Sequence, residues 1–244
     1  MNELLLLTGV ALAPGIYLSI VIYGKDKYDR EPKRILLAAF LLGCLSIIPA
    51  FFTEVFWTNI GFGVSESFWW TMFHAFVVVG FTEEFFKFLM LRFHAYRKKE
   101  FSEPFDGIVY ASFVALGFAT VENVLYVFQS GFSTGILRMF TAVPAHYAFG
   151  VIMGYYVGKA KFAEKNKTGL LLQGLLYASF MHGAYDFFIM QKNFPALGIF
   201  TLGILIMAWR ISKRSIEELH ADSVFRFHNK PPEIIPHERS ETEA

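Results

Sequence analysis

The sequence predicts an all-α polytopic membrane protein of about seven transmembrane helices, with the N-terminus outside and the C-terminus cytoplasmic. Three observations carry that class. Of the 244 residues, 55% are apolar and 18% aromatic while only 18% are charged, against about 25% charged in a soluble domain. Apolar runs recur between charged clusters, and they have the roughly 20 residues that cross a core about 30 Å thick at 1.5 Å rise per residue. Lys and Arg crowd alternate connections, as cytoplasmic loops require. This composition excludes a disordered or nucleic-acid-coating chain, and the formal charge of +1 says nothing about partners. Cys44 is the only cysteine, so one chain builds neither a disulfide framework nor a thiolate zinc site.

The first run covers residues 4–23. Ala11-Leu12-Ala13 has the small-x-small form of a signal-peptide cleavage site, but residues 1–3 carry no positive charge and Pro14 would head the new terminus. The run therefore reads as an anchor. A loop with Lys25, Lys27, Arg30, Lys33 and Arg34 leads to a second run at 35–57. The third, 68–91, is followed by Arg92, Arg97, Lys98 and Lys99. Runs four and five, 107–128 and 137–158, follow, with Arg138 the basic residue where run five begins. Lys159, Lys161, Lys165 and Lys167 then precede run six, 170–190, and a shorter seventh run, 195–209, comes after Lys192. With the basic residues from Arg210 onward, 19 of the 22 Lys and Arg fall on one side, and Lys87 lies inside a span. Trp57, Trp69 and Trp70 read as an outer aromatic belt and Trp209 as the inner one. Residues 211–244 lose the apolar pattern and contain Pro231, Pro232 and Pro236, so a flexible cytoplasmic tail is expected, with His220, His228 and His237 solvated.

The chemistry lies in the spans. An ionisable group at mid-bilayer costs at least about 2.5 kcal/mol and must face protein or water. Run three holds Glu83, Glu84 and Lys87, run four Glu122 and Asn123, run five His146, and run six His182 and Asp186. Counted from the inner ends, the carboxylates and histidines among them lie about 12 to 24 Å deep, close enough to converge in one layer. Lys87 follows Glu83 by four residues and Glu84 by three, so it can neutralise either carboxylate on its own helix face. His182 and Asp186 share the four-residue spacing. Asp186 either orients the imidazole or shares a metal or substrate oxygen with it. Adjacent carboxylates beside a low-dielectric pocket suit water activation. A divalent zinc held by Glu84, Glu122, His146 and His182 would do the same work by lowering the pKa of bound water to about 7, although no HExxH pattern is present.

Plainer readings compete. One intramembrane Glu or His alone is as often a helix-to-helix hydrogen bond as a catalyst. Glu54 and His74, nearer outer ends, read as interfacial or packing residues. A proton- or cation-coupled transporter also needs buried carboxylates and histidines, but no paired Gly/Pro-interrupted spans are evident. A non-catalytic scaffold would use the polar cluster for helix packing alone.

The set Glu83-Glu84-x-x-Lys87, Gly117-Phe118-Ala119-x-x-Glu122-Asn123, His146 and His182-x-x-x-Asp186 resembles the PrsW family of intramembrane proteases. The loop Asp29-Arg30-Glu31-Pro32-Lys33 and Asp106-Gly107 resemble it too, over roughly residues 15–210. The resemblance implies a relation to the CAAX-protease and bacteriocin-immunity group, in which a double glutamate activates water. It implies a protease domain over 1–210, a tail over 211–244, and a place in the bacterial plasma membrane. It also implies site-1 cleavage of a single-span anti-sigma factor during envelope stress. Glu122 stands where the wider group has histidine, and His146 is the candidate to supply the missing imidazole. On this reading Glu83, Glu84, Glu122, His146, His182 and Asp186 are catalytic, while Lys87 and Asn123 meet substrate. Lipid and a membrane-anchored protein are the expected partners, with zinc the candidate cofactor beside a glutamate-only route.

Overall fold

A computed structural model describes residues 2–191 and 194–226, and the described residues are helical with no strand. Helices α1 (Glu3–Lys25) and α2 (Lys33–Trp57) are followed by a wide-turned π segment, Thr58–Phe62. The expected third span is not one regular helix. It comprises α3 (Phe68–Phe73), a second π segment (His74–Phe81) and α4 (Thr82–Phe93). Next come α5 (Pro104–Ser130), a short α6 (Phe132–Phe140), α7 (Ala142–Phe162), α8 (Lys167–Ile189) and α9 (Ile199–Ala221). Among the described residues, five stretches are long and apolar enough to cross a membrane: Glu3–Lys25, Lys33–Phe62, Pro104–Ser130, Phe132–Phe162 and Ala196–Ala221. The other two expected spans are helical but more polar: one carries Glu83, Glu84 and Lys87, and the other Gln173, His182 and Asp186.

Helix α5 is buried at nearly every position from Phe105 to Thr120, the mark of a helix enclosed on all sides. Its tightest neighbour is α7. Gly150, Gly154 and Gly158 recur every fourth residue, so they share one face and let the two backbones touch. A Cβ on Gly154 would lie 2.7 Å from the Ile108 Cα, and one on Gly107 would lie 2.6 Å from the Gly158 Cα. This seam runs antiparallel and sets Phe118 beside His146. By contrast, Leu37, Leu41, Leu45, Ile48 and Phe52 expose their side chains along α2, a stripe that only lipid solvates cheaply.

The basic loops meet at one end. Arg34 pairs with Glu100 at 3.7 Å, Ser102 Oγ donates to Asp29 at 2.9 Å, and Lys161 Nζ donates to the Lys98 carbonyl at 2.7 Å. The boundary expected near residue 210 falls inside α9, which continues to Ala221 because Ser212, Ser215, Ile216 and Leu219 keep an inward face. His220 is correspondingly not free in solvent. Its Nε2 lies 2.8 Å from the Lys25 carbonyl and its ring 4.2 Å from Phe105. Trp209 sits in mid-helix against Tyr147, rather than at an inner end. Lys192, His228, His237 and the prolines of the tail lie outside the described residues.

Candidate active site

Four elements bring the polar side chains of the spans together, and a fifth closes the group. The π segment widens the helix just before Thr82 and so sets the direction in which the first turn of α4 projects Glu83 and Glu84. It is pressed onto α8 at two glycines. A Cβ on Gly80 would lie 2.8 Å from the Gly183 nitrogen, and one on Gly183 would lie 2.7 Å from the Phe76 Cα. That contact puts His182 against Glu84.

The side chains form one connected row. His182 Nε2 lies 3.2 Å from Asp186 Oδ2 and its Nδ1 3.0 Å from Glu84 Oε1. Lys87 Nζ donates to Glu84 Oε1 at 2.8 Å, to Glu83 Oε2 at 3.2 Å and to His146 Nδ1 at 3.1 Å. His146 Nε2 lies 2.8 Å from Glu122 Oε2, which also receives Arg138 at 2.7 Å. Because Glu122 is ion-paired with the guanidinium and Lys87 Nζ is a donor at the other ring nitrogen, His146 carries its proton on Nε2 and leaves the Nδ1 lone pair facing Lys87. Phe149 stacks on His182 at 5.1 Å, and the two imidazoles meet edge to face at 4.9 Å. Four carboxylates, Glu83, Glu84, Glu122 and Asp186, thus surround two fixed cations, Lys87 and Arg138.

Among the described residues, one group could hold a metal: Glu83, His146 and His182, whose donor atoms lie within 4.8 Å of one another. Two imidazoles and a carboxylate match a catalytic zinc set, whose ligand atoms stand roughly 3.4 Å apart around a tetrahedral ion. The residues present therefore fit such an ion after a small closure. The expected set differs in two members. Glu84 has its Oε1 between Lys87 and His182, and Glu122 has its Oε2 between Arg138 and His146, whereas Glu83 Oε2 receives the lysine at 3.2 Å and stands 3.9 Å from His182 Nε2.

Of the expected substrate contacts, Asn123 is turned elsewhere. Its amide nitrogen donates to the Ala11 carbonyl at 2.9 Å and its oxygen accepts from Arg138 at 3.1 Å, tying α1 and α6 to α5. Lys87 is enclosed by its three acceptors and by the Phe118 ring at 4.0 Å, which leaves it no open face for substrate. One residue joins the group unexpectedly. Arg138, read from sequence as a topological marker, pairs with Glu122. Glu54 is half-buried on the same side of α2 as the buried Ala50. For Arg138 the available signal was its isolation on the side otherwise nearly free of basic residues. His74 is a packing residue, its Nδ1 lying 2.7 Å from the Phe62 carbonyl.

The Asp29–Lys33 and Asp106-Gly107 motifs belong to a second, separate knot under the basic loops. Glu31 N donates to Asp26 Oδ2 at 2.7 Å, Ser102 N and Glu103 N donate to Asp106 Oδ2 at 2.6 and 2.9 Å, and Tyr110 donates to Glu31. Burial pushes the Asp26 carboxyl up to about 6 and the Glu31 carboxyl up to about 7.

A family model described as PrsW family intramembrane metalloprotease matches residues 31–211 of the chain. Proteins named Protease PrsW are similar over most of their length. The one from Geobacillus kaustophilus is 38% identical over 86% of this chain and 92% of that protein. The one from Bacillus subtilis is 39% identical over 73% and 80%, and the one from Clostridioides difficile 35% over 88% and 93%. No solved structure matches.

Proposed function

Because this chain belongs to the PrsW family of intramembrane proteases, and is a multi-pass membrane peptidase on that ground, we propose that it is a metal-dependent endopeptidase acting on a membrane-anchored protein. Glu83, His146 and His182 would hold a zinc-class ion, which when bound supplies Lewis acidity and lowers the pKa of water to about 7. The chain's own residues do the rest. Glu84 Oε1 orients His182 through Nδ1, while Glu84 Oε2 is buried with no hydrogen-bond partner. A carboxylate oxygen so placed accepts a proton from the attacking water and returns it to the amine nitrogen as the C–N bond breaks. Asp186 lies 3.2 Å from His182 Nε2, the nitrogen left to face the ion once Nδ1 donates to Glu84, and Glu122, paired with Arg138, orients His146.

The observation that carries this reading is the convergence of three donor side chains beside the unpartnered Glu84 oxygen. It supports Glu83 as ligand and Glu84 as base. The test uses purified protein reconstituted with a single-span substrate. Glu84→Gln is expected to lower cleavage by about 100-fold or more while zinc content is retained, and Glu83→Gln to lose both. Full activity in both variants refutes the assignment. Chelation that abolishes cleavage, reversed by zinc, separates the metal route from a glutamate-only one.

Seven crossings with the N-terminus outside are supported by the seven rods and by the basic loops gathered at one end. The double glutamate and His182-x-x-x-Asp186 support kinship with the CAAX-protease group. The family resemblance supports a single-span anti-sigma factor as substrate, cut in the first step of a stress response.

A further inference from the structure

Lys87 stands where a metal would compete. Its ammonium is enclosed, donating to Glu83 Oε2 at 3.2 Å, Glu84 Oε1 at 2.8 Å and His146 Nδ1 at 3.1 Å, with Phe118 closing the remaining side at 4.0 Å. Two of those three acceptors, Glu83 and His146, belong to the candidate metal set. An imidazole nitrogen has one in-plane lone pair. It accepts from an ammonium or it binds an ion, not both. The other His146 nitrogen is occupied as well, donating to Glu122 at 2.8 Å. An ammonium and a divalent ion on the same ligands also repel each other, and most strongly where water is excluded. Glu84, the nearest of the three acceptors and outside the metal set, gives the displaced ammonium a place to stay.

Resting on the metal reading of the site, we propose that Lys87 is an internal competitor of the metal. In the metal-free protein its ammonium bridges Glu83 and His146 and keeps the ligands assembled. A divalent cation binds only by taking both from it, after which Lys87 pairs with Glu84 alone. The lysine is thus a positioning residue that weakens metal affinity while making the apo-protein stable.

The test is equilibrium dialysis of the full chain in nanodiscs against zinc chloride, with Lys87→Met, Lys87→Gln and Glu83→Gln variants. Both lysine variants are expected to bind zinc about tenfold tighter or more, and their metal-free forms to melt below the parent, with zinc restoring the loss. Unchanged or weaker zinc binding in the lysine variants, with binding lost in Glu83→Gln, overturns the competition and leaves the metal reading standing. No zinc binding by the parent or by either lysine variant overturns both. If the lysine variants do not fold, nitrogen-15 lysine spectra of the parent decide. A shift of the Lys87 ammonium resonance on zinc addition supports displacement, and an unmoved resonance overturns it.

Discussion

Arg138 shows how a single charged side chain near a span's outer end fixes a buried carboxylate of the candidate site. Its guanidinium meets Glu122 at 2.7 Å and the Asn123 oxygen at 3.1 Å, and lies 4.0 Å from the Tyr126 ring. Without it, Glu122 loses its fixed cation and no longer holds His146 through Nε2. Arg138→Ala is therefore expected to lower kcat about 10-fold or more with little change in KM, because outer partners of ligand histidines typically matter by 10- to 100-fold. Arg138→Lys should recover part of the rate, and steady-state kinetics on a reconstituted substrate checks both. Most of the site was legible in the sequence because an ionisable residue inside an apolar run has few other reasons to be there. Glu83, Glu84, Lys87, Glu122, His146, His182 and Asp186 all meet, as expected. Facing direction was not legible. The π segment alters the helical phase just ahead of Glu83, so a regular 3.6-residue reading does not tell how the two glutamates divide between Lys87 and the imidazoles. The half-burial of Glu54 was hidden for the same reason, since it depends on how α2 rolls against its neighbours.

At the scale of elements, run length and flanking charge were enough to locate the helices, while their interruptions and ends depended on packing. The break at His74–Phe81 follows from the Gly80 and Gly183 contact with α8, which no local propensity encodes. The extra turns of α9 follow from an inward face that alternates serines with Ile216 and Leu219 among charged residues, too diluted for hydropathy to register. The α5 and α7 seam makes a sharp prediction. Gly154→Leu has no rotamer that avoids the Ile108 backbone and should lower the thermal midpoint severely, whereas Gly203→Leu, with nothing within 4 Å, should not. Fluorescence-detected melting of the two variants compares them. The loop knot predicts a pH effect. Asp26 and Glu31 have carboxyls raised to about 6 and about 7, so the folded state binds more protons than the unfolded between roughly pH 4 and 7. Their contribution to stability is complete below that window and is lost as pH rises through it. Glu31→Gln should flatten this part of the melting profile, and an unchanged slope would count against the knot's role.

Considered as a whole, the molecule has two ends of different character. Basic loops, the buried knot and the α9 terminus gather at one end; at the other lie the π segment at Thr58–Phe62, α3 and the short α6. The proposed orientation puts the first of these in the cytosol. On a Cys44→Ser background, an impermeant maleimide should label Asn59→Cys in intact cells and Glu164→Cys only after permeabilisation. The reverse pattern would invert the topology. Exposure within the site also changes along this axis. Glu84 and Lys87 side chains are 1% and 2% exposed, while Asp186 and Glu122 are 15% and 17% exposed. The candidate site is therefore closed toward the basic-loop end and partly open toward the other. Scission through such an opening would fall outside the cytosolic leaflet, shedding an ectodomain and leaving the remaining stub tethered to lipid, so that liberating its inward-facing portion would require another enzyme.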